Sequence, residues 1–284
     1  MTGGRGAQEG RGRPFVKMSG SGNDFVFFDA RTEPAGELAV PETVRRICAR
    51  GTGIGADGVV FLERSERADF GIRYLNSDGS PASLCGNASL CSTRLASELG
   101  AADPAAMRFE TGSGVLSARL RDGLPEIDLQ PVRDVRPAAA GIEPAAGERR
   151  IGFALAGVPH LVILCDDVER VELARRGPPL RAHATLPEGA NVNWVSRRGD
   201  GWAIRTFERG VEGETLACGT GAVAAAVLLA AWGEAPADAP AFRAALATRS
   251  GRVLEVSLAH DGVAWLPSLR GEGRLVFRGE LADI

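Results

Sequence analysis

The chain has 284 residues, of which 44% are hydrophobic and 24% are charged, and its formal net charge at pH 7 is −3. The length suits one large domain or two domains of ordinary size. The pI is near 5.8, whereas proteins that bind nucleic acid are typically strongly basic, so no nucleic-acid partner is predicted. No stretch contains the roughly 18 apolar residues that a membrane-spanning helix needs, so no membrane partner is predicted.

The N-terminus and the cysteines both predict a cytoplasmic protein. Residues 1–14 (MTGGRGAQEGRGRP) lack the apolar segment of a secretory signal, and we interpret them as a disordered leader, with an anion-binding arm as the alternative. The chain has five cysteines, an odd number, and no two of them form a CxxC pair. This pattern predicts neither a disulfide framework nor a zinc site and is typical of a reducing compartment.

Strand-like segments dominate the chain from residue 15 onward. In chain order, the apolar β-type runs are FVFFDA, GVVFL, FGIRYL, GVLSARL, PEIDL, LVILC, VNWV, WAIRTF and RVLEVSL, and Gly, Asp and Pro turns separate them. Two Ala- and Leu-rich helices are predicted among these strands, one beginning after Cys85 and the other after Cys218. Strand and helix do not alternate regularly, so the pattern favours mixed or antiparallel sheet around a helix.

The two helices belong to an internal repeat. Gly100 follows Cys85 by 15 positions and Gly233 follows Cys218 by 15 positions, in each case where a helix C-cap is expected. Three earlier segments match in the same order: GNDFVFFDA with VPHLVILCDD, GADGVVFL with GANVNWV, and IRYLN with IRTFE. We therefore predict an α/β protein of the α+β type. It contains two homologous domains, each a mixed or antiparallel sheet wrapped around a central helix, related by a pseudo-twofold axis.

The repeat sets the predicted domain boundaries. The first domain is expected at residues 15–127 and the second at 128–271, and the Pro- and Ala-rich segment 128–148 is interpreted as the crossing between them. The last predicted strand, within residues 272–284, has no counterpart at the end of the first repeat. We expect it to return to the first domain.

A cysteine directly before a glycine at a helix start suggests acid–base chemistry. A helix N-terminus offers free N–H groups and a positive dipole end, which favour a carboxylate and lower the pKa of a neighbouring thiol. If the pseudo-twofold axis brings Cys85 and Cys218 together, one sulfur can remove a proton from one face of a carbon while the other delivers a proton to the opposite face. Such chemistry inverts a stereocentre, and it needs no cofactor or metal when the helix N–H groups stabilise the carbanion-like transition state.

These residues resemble the diaminopimelate epimerases, and the resemblance covers nearly the whole chain from about Phe15. It rests on KMSGSGNDFVFFDAR, GIGADGVVFL, NSDGSPASLCGN, the PH of AGVPHLVI, ANVNWV and FERGVEGETLACGTGA. The resemblance implies a cofactor-independent two-base epimerase that interconverts LL- and meso-diaminopimelate for lysine and cell-wall synthesis. It also implies two domains that close over a small amino-acid substrate, and a homodimer.

The resemblance further implies a role for individual residues. Cys85 and Cys218 are the implied catalytic pair. The implied cradle for the reacting carboxylate is the backbone of Gly86, Asn87, Gly219 and Thr220. The residues implied to hold the substrate, chiefly at its distal amino-acid end, are Asn23, Asn76, Asn191, Glu208 and Arg209, and His160 is similar to a family histidine near the cysteines. A guanidinium suits a carboxylate because it binds both oxygens, whereas a glutamate suits an ammonium.

Some positions depart from the family pattern. Ala88 and Leu90 lie in CGNASL where the family commonly has CGNGxR, and one residue is extra in GVEGET. Val158 stands where the family usually carries an Asn that contacts the distal end of the substrate. These departures concern the identity of the substrate more than the type of reaction.

Two alternatives to a diaminopimelate epimerase therefore stay open. One is a related racemase that acts on another amino acid. The other is a non-catalytic thiol-redox protein that uses the cysteine pair as a disulfide switch. The remaining cysteines, Cys48, Cys91 and Cys165, are interpreted as core residues. Asp57 and Gly58 are interpreted as a turn, with an indirect role at the site as the alternative.

Overall fold

A computed structural model of the protein describes residues 12–234 and 242–282. The strands of its first half are β1 (Arg13–Gly20), β2 (Asn23–Asp29), β3 (Gly58–Glu63), β4 (Phe70–Asn76), β5 (Pro81–Ala82), β6 (Met107–Thr111), β7 (Gly114–Arg121), β8 (Leu124–Asp128) and β9 (Val135–Arg136). Those of its second half are β10 (Glu148–Ala156), β11 (Val158–Cys165), β12 (Asn191–Arg198), β13 (Gly201–Glu208), β14 (Gly213–Thr215), β15 (Phe242–Ala247), β16 (Val253–His260), β17 (Trp265–Arg270) and β18 (Arg274–Leu281). The α-helices are α1 (Pro41–Cys48), α2 (Gly86–Glu98), α3 (Leu173–Arg181) and α4 (Gly219–Ala231).

The two halves pair their strands in the same way. In the first half, β1–β2, β3–β4, β6–β7 and β7–β8 are antiparallel, whereas β2–β3 and β4–β6 are parallel. In the second half, β10–β11, β12–β13, β15–β16 and β16–β17 are antiparallel, whereas β11–β12 and β13–β15 are parallel. The predicted fold class, with two homologous halves built on mixed sheet, is confirmed.

Each half wraps its sheet around one buried helix. Helix α2 packs against β1, β2, β3, β7 and β8, and α4 packs against β10, β11, β12, β15 and β16. Every residue of α4 from Gly221 to Leu229 is buried, as its sequence without a polar face predicts. Leu90, one of the departures from the family pattern, is fully buried in α2 and belongs to the apolar core. No helix in the described residues is long and apolar enough to cross a membrane.

The ends of the two halves interlock. Strand β18 pairs with β1, as expected for a strand returning to the first half, and β8 pairs with β17. The prediction that β18 has no counterpart is wrong, because β9 pairs with β10 in the equivalent way. Only two residues form β9, and such a short strand leaves no periodic signal in the surrounding Pro- and Ala-rich sequence.

The predicted leader ends earlier than expected. Arg13 and Pro14, which the sequence assigns to the leader, lie in β1 opposite Leu281 and Glu280. The partner strand is more than two hundred residues away in the sequence, so no local pattern could place this boundary. Residues 1–11 lie outside the described residues.

Candidate active site

The two cysteine-headed helix starts meet. Cys85 and Cys218 are the N-cap residues of α2 and α4, with φ and ψ of −133° and 116° in the first and −134° and 110° in the second. A Cβ built on Gly86 would lie 3.5 Å from the Cα of Gly219, and one built on Gly219 would lie 3.4 Å from the Cα of Gly86. A Cβ at either position would lie in ordinary contact with the other helix but within 3.2 Å of a Leu269 methyl group, so glycine keeps the space between the helix starts open.

The junction of the two helices suits a carboxylate. Each helix start presents backbone N–H groups without an intrahelical acceptor, together with the positive end of a helix dipole. The Sγ of Cys218 accepts a hydrogen bond from the Gly221 N–H at 3.4 Å and lies 3.6 Å from the hydroxyl of Thr220. The Cys85 side chain makes no capping hydrogen bond of normal geometry, but the backbone N–H groups of Ala88 and Asn87 lie close enough to lower its pKa. An anion bound here would receive N–H donors from both halves.

The pKa values of both cysteines lie above the ordinary thiol value, although each side chain is only half-buried. Burial raises the pKa of Cys85 to about 11 and the pKa of Cys218 to about 12, and the charge of Glu208 raises both pKa values further. Hydrogen bonds from helix N–H groups lower these pKa values by less than burial raises them. The sequence-based expectation of lowered thiol pKa values is therefore wrong for this arrangement.

Glu208 lies near both sulfurs. It is the last residue of β13, and its own pKa is raised by burial and by the charge of Asp57, against a lowering effect of the Thr215 hydroxyl. Because its charge raises the pKa of Cys85 and of Cys218, Glu208 lies within electrostatic reach of both sulfurs. The family resemblance assigns Glu208 chiefly to the distal end of the substrate.

His160 is held by a residue that the sequence analysis missed. It is fully buried in β11, and its Nδ1 lies 3.1 Å from the amide nitrogen of Asn193. The amide oxygen of Asn193 accepts a hydrogen bond from the Thr206 hydroxyl at 2.9 Å. A Cβ on Gly221 would collide with the same oxygen, so Asn193 also lies against the start of α4. Its position two residues after Asn191, on the same face of β12, was the available signal.

His160 should make the stability of the protein depend on pH. Burial, with a smaller effect of the Arg209 charge, lowers its pKa from 6.5 to about 3. Between these values the unfolded chain binds more protons than the folded chain, so the free energy of unfolding should fall as the pH is lowered through this window. Denaturant unfolding across the window measures this slope. The slope should flatten in His160→Gln and persist in His260→Gln, which changes an exposed histidine. Equal slopes in the wild type and both variants would contradict the assignment.

The remaining predicted residues fall into separate groups. Asn191 lies opposite His160 in the register of β11 and β12, and its side-chain oxygen accepts the backbone N–H of Arg209 at 2.8 Å. A guanidinium nitrogen of Arg209 donates to the Glu188 carbonyl at 2.6 Å. Asn76 is half-buried at the end of β4, and its side-chain amide donates a hydrogen bond to the Ser80 hydroxyl at 3.0 Å.

Asn23 joins the start of α2 from the first half. Its side-chain oxygen accepts a hydrogen bond from the Asn87 amide nitrogen at 2.6 Å, and its own amide nitrogen donates to Asp57 at 2.9 Å. The structure thus brings Cys85, Gly86, Asn87, Asn23, Gly219, Cys218 and Thr220 to the helix junction. Within residues 12–234 and 242–282, no group of three or more His, Cys, Asp or Glu side chains is placed to hold a metal ion.

Comparisons with known proteins agree on one family. The family model for diaminopimelate epimerase matches residues 15–129 and 153–266, which follow the two halves of the repeat. The diaminopimelate epimerase of Gemmatimonas aurantiaca is 55% identical over 280 residues, covering 95% of this chain and 99% of the relative.

Two solved structures share the fold at low identity. A phenazine biosynthesis protein of the PhzF family from Bacillus anthracis aligns with a TM-score of 0.72 at 14% identity, covering 96% of this chain and 99% of its own. A hydroxyproline epimerase from Agrobacterium vitis with bound trans-4-hydroxy-L-proline aligns with a TM-score of 0.63 at 19% identity, covering 96% of this chain and 93% of its own. The family model and the Gemmatimonas relative together show that this chain belongs to the diaminopimelate epimerase family.

Proposed function

We propose that the protein interconverts LL- and meso-diaminopimelate without a cofactor, with Cys85 and Cys218 as the two acid–base groups. The observation that carries this proposal is the meeting of two cysteine-capped helix starts at Gly86 and Gly219. The family relatives, whose name gives their substrate, support the choice of diaminopimelate.

The geometry suggests how each group takes part. The α-carboxylate of the substrate accepts N–H donors from the starts of α2 and α4, which leaves its Cα between the two sulfurs. One sulfur, as a thiolate, takes the Cα proton, and the electron pair passes into the carboxylate-stabilised carbanion. The other sulfur, as a thiol, then donates its proton to the opposite face of Cα. The two sulfurs exchange protonation states in each turnover.

Glu208 offers a way to form the thiolate on substrate binding. Its charge raises the pKa of both thiols. A substrate ammonium beside it would offset that charge and make one thiol easier to deprotonate. The proton that leaves the thiol must reach solvent or a neutral amine before Cα can be attacked.

The substrate preference tests this proposal against the racemase alternative. Arg209 follows Glu208 and carries the opposite charge. With Glu208 acting on the reacting centre, Arg209 suits the carboxylate of a second amino-acid group, whereas a monoamino acid would leave this guanidinium without an anionic partner in a closed site. We expect kcat/KM for LL-diaminopimelate to exceed that for alanine, proline or glutamate by at least about a hundredfold, as expected when buried polar groups lose their partners.

Val158→Asn serves as the matched variant for this preference. It adds one amide, and we expect the variant to change kcat/KM for diaminopimelate by less than about tenfold, the scale of a single hydrogen bond. If the wild type turns over a monoamino acid as well as diaminopimelate, and the variant restores the preference, the racemase alternative is correct.

We also propose a homodimer in the cytoplasm. Strand β18 pairs with β1 along one edge, and the register pairings among the described residues give it no second partner. Val276 and Phe277 in this strand are 44% and 45% exposed. An apolar strand with a free edge is a favourable surface for association with a second copy.

A further inference from the structure

A line of hydrogen bonds runs from the surface to the helix junction. Arg50 donates to one carboxylate oxygen of Asp57 at 2.7 Å, and the amide nitrogen of Asn23 donates to the other at 2.9 Å. The oxygen of Asn23 accepts from the amide nitrogen of Asn87 at 2.6 Å. We call Asp57, Asn23 and Asn87 the amide relay. It ends on the second residue of α2, directly after Gly86.

The carboxylate of Asp57 determines the direction of the whole relay. An ionised carboxylate can only accept hydrogen bonds, so the amide group of Asn23 must turn its NH₂ toward Asp57. Its oxygen then faces Asn87, which must turn its own NH₂ toward Asn23. The side-chain oxygen of Asn87 is left pointing away from the relay.

That oxygen is buried and unpaired. Asn87 is 2% exposed, and among the described residues its Oδ1 has no hydrogen-bond partner. It lies 3.6 Å from the position that a Cβ on Gly219 would occupy, so it faces the junction of the two helices. A buried acceptor without a donor is costly, and such a group calls for a ligand or another explanation. The Asn87 Oδ1 is thus an acceptor beside helix starts that otherwise present N–H donors.

The three positions of the second half that correspond to the relay carry different residues. The register of β2 with β3 pairs Phe25 with Gly58, and the register of β11 with β12 pairs His160 with Asn191. By this correspondence, the positions equivalent to Asp57, Asn23 and Asn87 hold Ala190, Val158 and Thr220. Both helix starts offer backbone N–H donors to a carboxylate. Only the first, through Asn87, also offers a buried acceptor to a cation.

We propose that Asp57 is a positioning residue that fixes the amide relay so that Asn87 Oδ1 accepts a hydrogen bond from the ammonium on the reacting carbon of the substrate. This inference rests on the proposed function and deepens it. The carboxylate of the reacting amino-acid group binds the helix N–H donors, and its ammonium is held on the first-half side, where the charges of Asp57 and Glu208 act on each other. Asp57 touches neither substrate nor sulfur and acts through Asn23 and Asn87.

Asp57→Leu tests the direction of the relay. The Asp57 oxygen that accepts from Asn23 also accepts the backbone N–H of Asp24 at 3.2 Å, so an asparagine would keep an oxygen at this position. Leucine offers no acceptor, so nothing holds the NH₂ of Asn23 in place, and both following amides can reverse and replace the acceptor at the junction with a donor. We expect the KM for LL-diaminopimelate to rise by roughly tenfold to a hundredfold, the range for a hydrogen bond to a charged group. The inhibition constant of pimelate, the same dicarboxylate without its ammonium groups, should change by less than about threefold. A purely structural role for Asp57 would weaken both ligands alike.

Arg50→Met is the matched control. It removes the exposed cation paired with Asp57 and leaves the carboxylate facing Asn23, so KM should change by less than about threefold, as for an exposed ion pair. If Asp57→Leu does not fold by circular dichroism, Asn87→Leu removes the acceptor itself and should give the same ligand-selective loss. The inference would be overturned if the relay variant lost substrate and pimelate binding equally, or lost neither. It would also be overturned if Arg50→Met raised the KM as much as the relay variant does. A wild type that neither binds nor converts diaminopimelate would instead overturn the proposed function.

Discussion

Replacing either Cys85 or Cys218 with alanine is expected to lower kcat for epimerisation by about 10²–10⁴-fold, the contribution of one positioned acid–base group. Inversion requires a proton to leave one face of the carbon and another to arrive at the opposite face, so neither sulfur can replace the other. Both residues are N-caps whose side chains lie at the helix junction, and truncation leaves the backbone N–H groups in place. The measurement is kcat for LL-diaminopimelate in each purified variant, with circular dichroism as the test of folding.

Cys91→Ala is the matched control for these two variants. Cys91 lies in the same helix as Cys85 but is fully buried in the core, behind the helix start. This variant should keep kcat within about threefold of the wild type, because a small core truncation affects stability before catalysis. A Cys85→Ala or Cys218→Ala variant that retains more than about a tenth of wild-type kcat would contradict the two-base assignment.

The dependence of kcat/KM on pH is the second large effect that we expect. The pKa of Cys85 is about 11 and that of Cys218 is about 12, and one sulfur must be a thiolate. Below these pKa values the thiolate fraction of the free enzyme rises tenfold per pH unit. We therefore expect kcat/KM to increase about tenfold per unit from about pH 7 to pH 8.5, since kcat/KM reports the groups of the free enzyme.

Thiol alkylation provides an independent check of the same titration. The rate at which iodoacetamide modifies Cys85 or Cys218 should rise with pH in parallel with kcat/KM, because the thiolate is the nucleophile. A flat kcat/KM profile over this range, with fast alkylation at neutral pH, would mean that one thiolate is already formed. That result would favour the lowered pKa that the helix starts alone predict.

The sequence was sufficient to predict the repeat and the pairing of the two helix starts. Cys85 and Cys218 carry local signals, a cysteine followed by glycine at the start of an Ala- and Leu-rich segment, and the signals recur at equal spacing. The alternation of apolar runs predicted the strands, and the order of the matching segments predicted that the halves share a topology. Each of these features depends on residues close together in the chain.

Features that depend on three-dimensional packing could not be predicted in the same way. The raised pKa values of the cysteines come from burial and from Glu208, which the fold brings beside them. Asp57 looked like part of a turn because its partners, Asn23 and Arg50, belong to other segments. The same limit applies to Asn193, whose contact with His160 spans 33 residues of sequence.

Hydrogen exchange during inversion tests the central proposal most directly. LL-diaminopimelate is incubated with the wild-type enzyme in D₂O, and substrate and product are separated early in the reaction for mass spectrometry. With two cysteines acting on opposite faces, the meso product should carry one deuterium at the inverted carbon, delivered by a solvent-exchanged thiol, while the recovered substrate carries none. A product that retains the original hydrogen would show that a single base moves the proton, and it would contradict the proposed roles of Cys85 and Cys218.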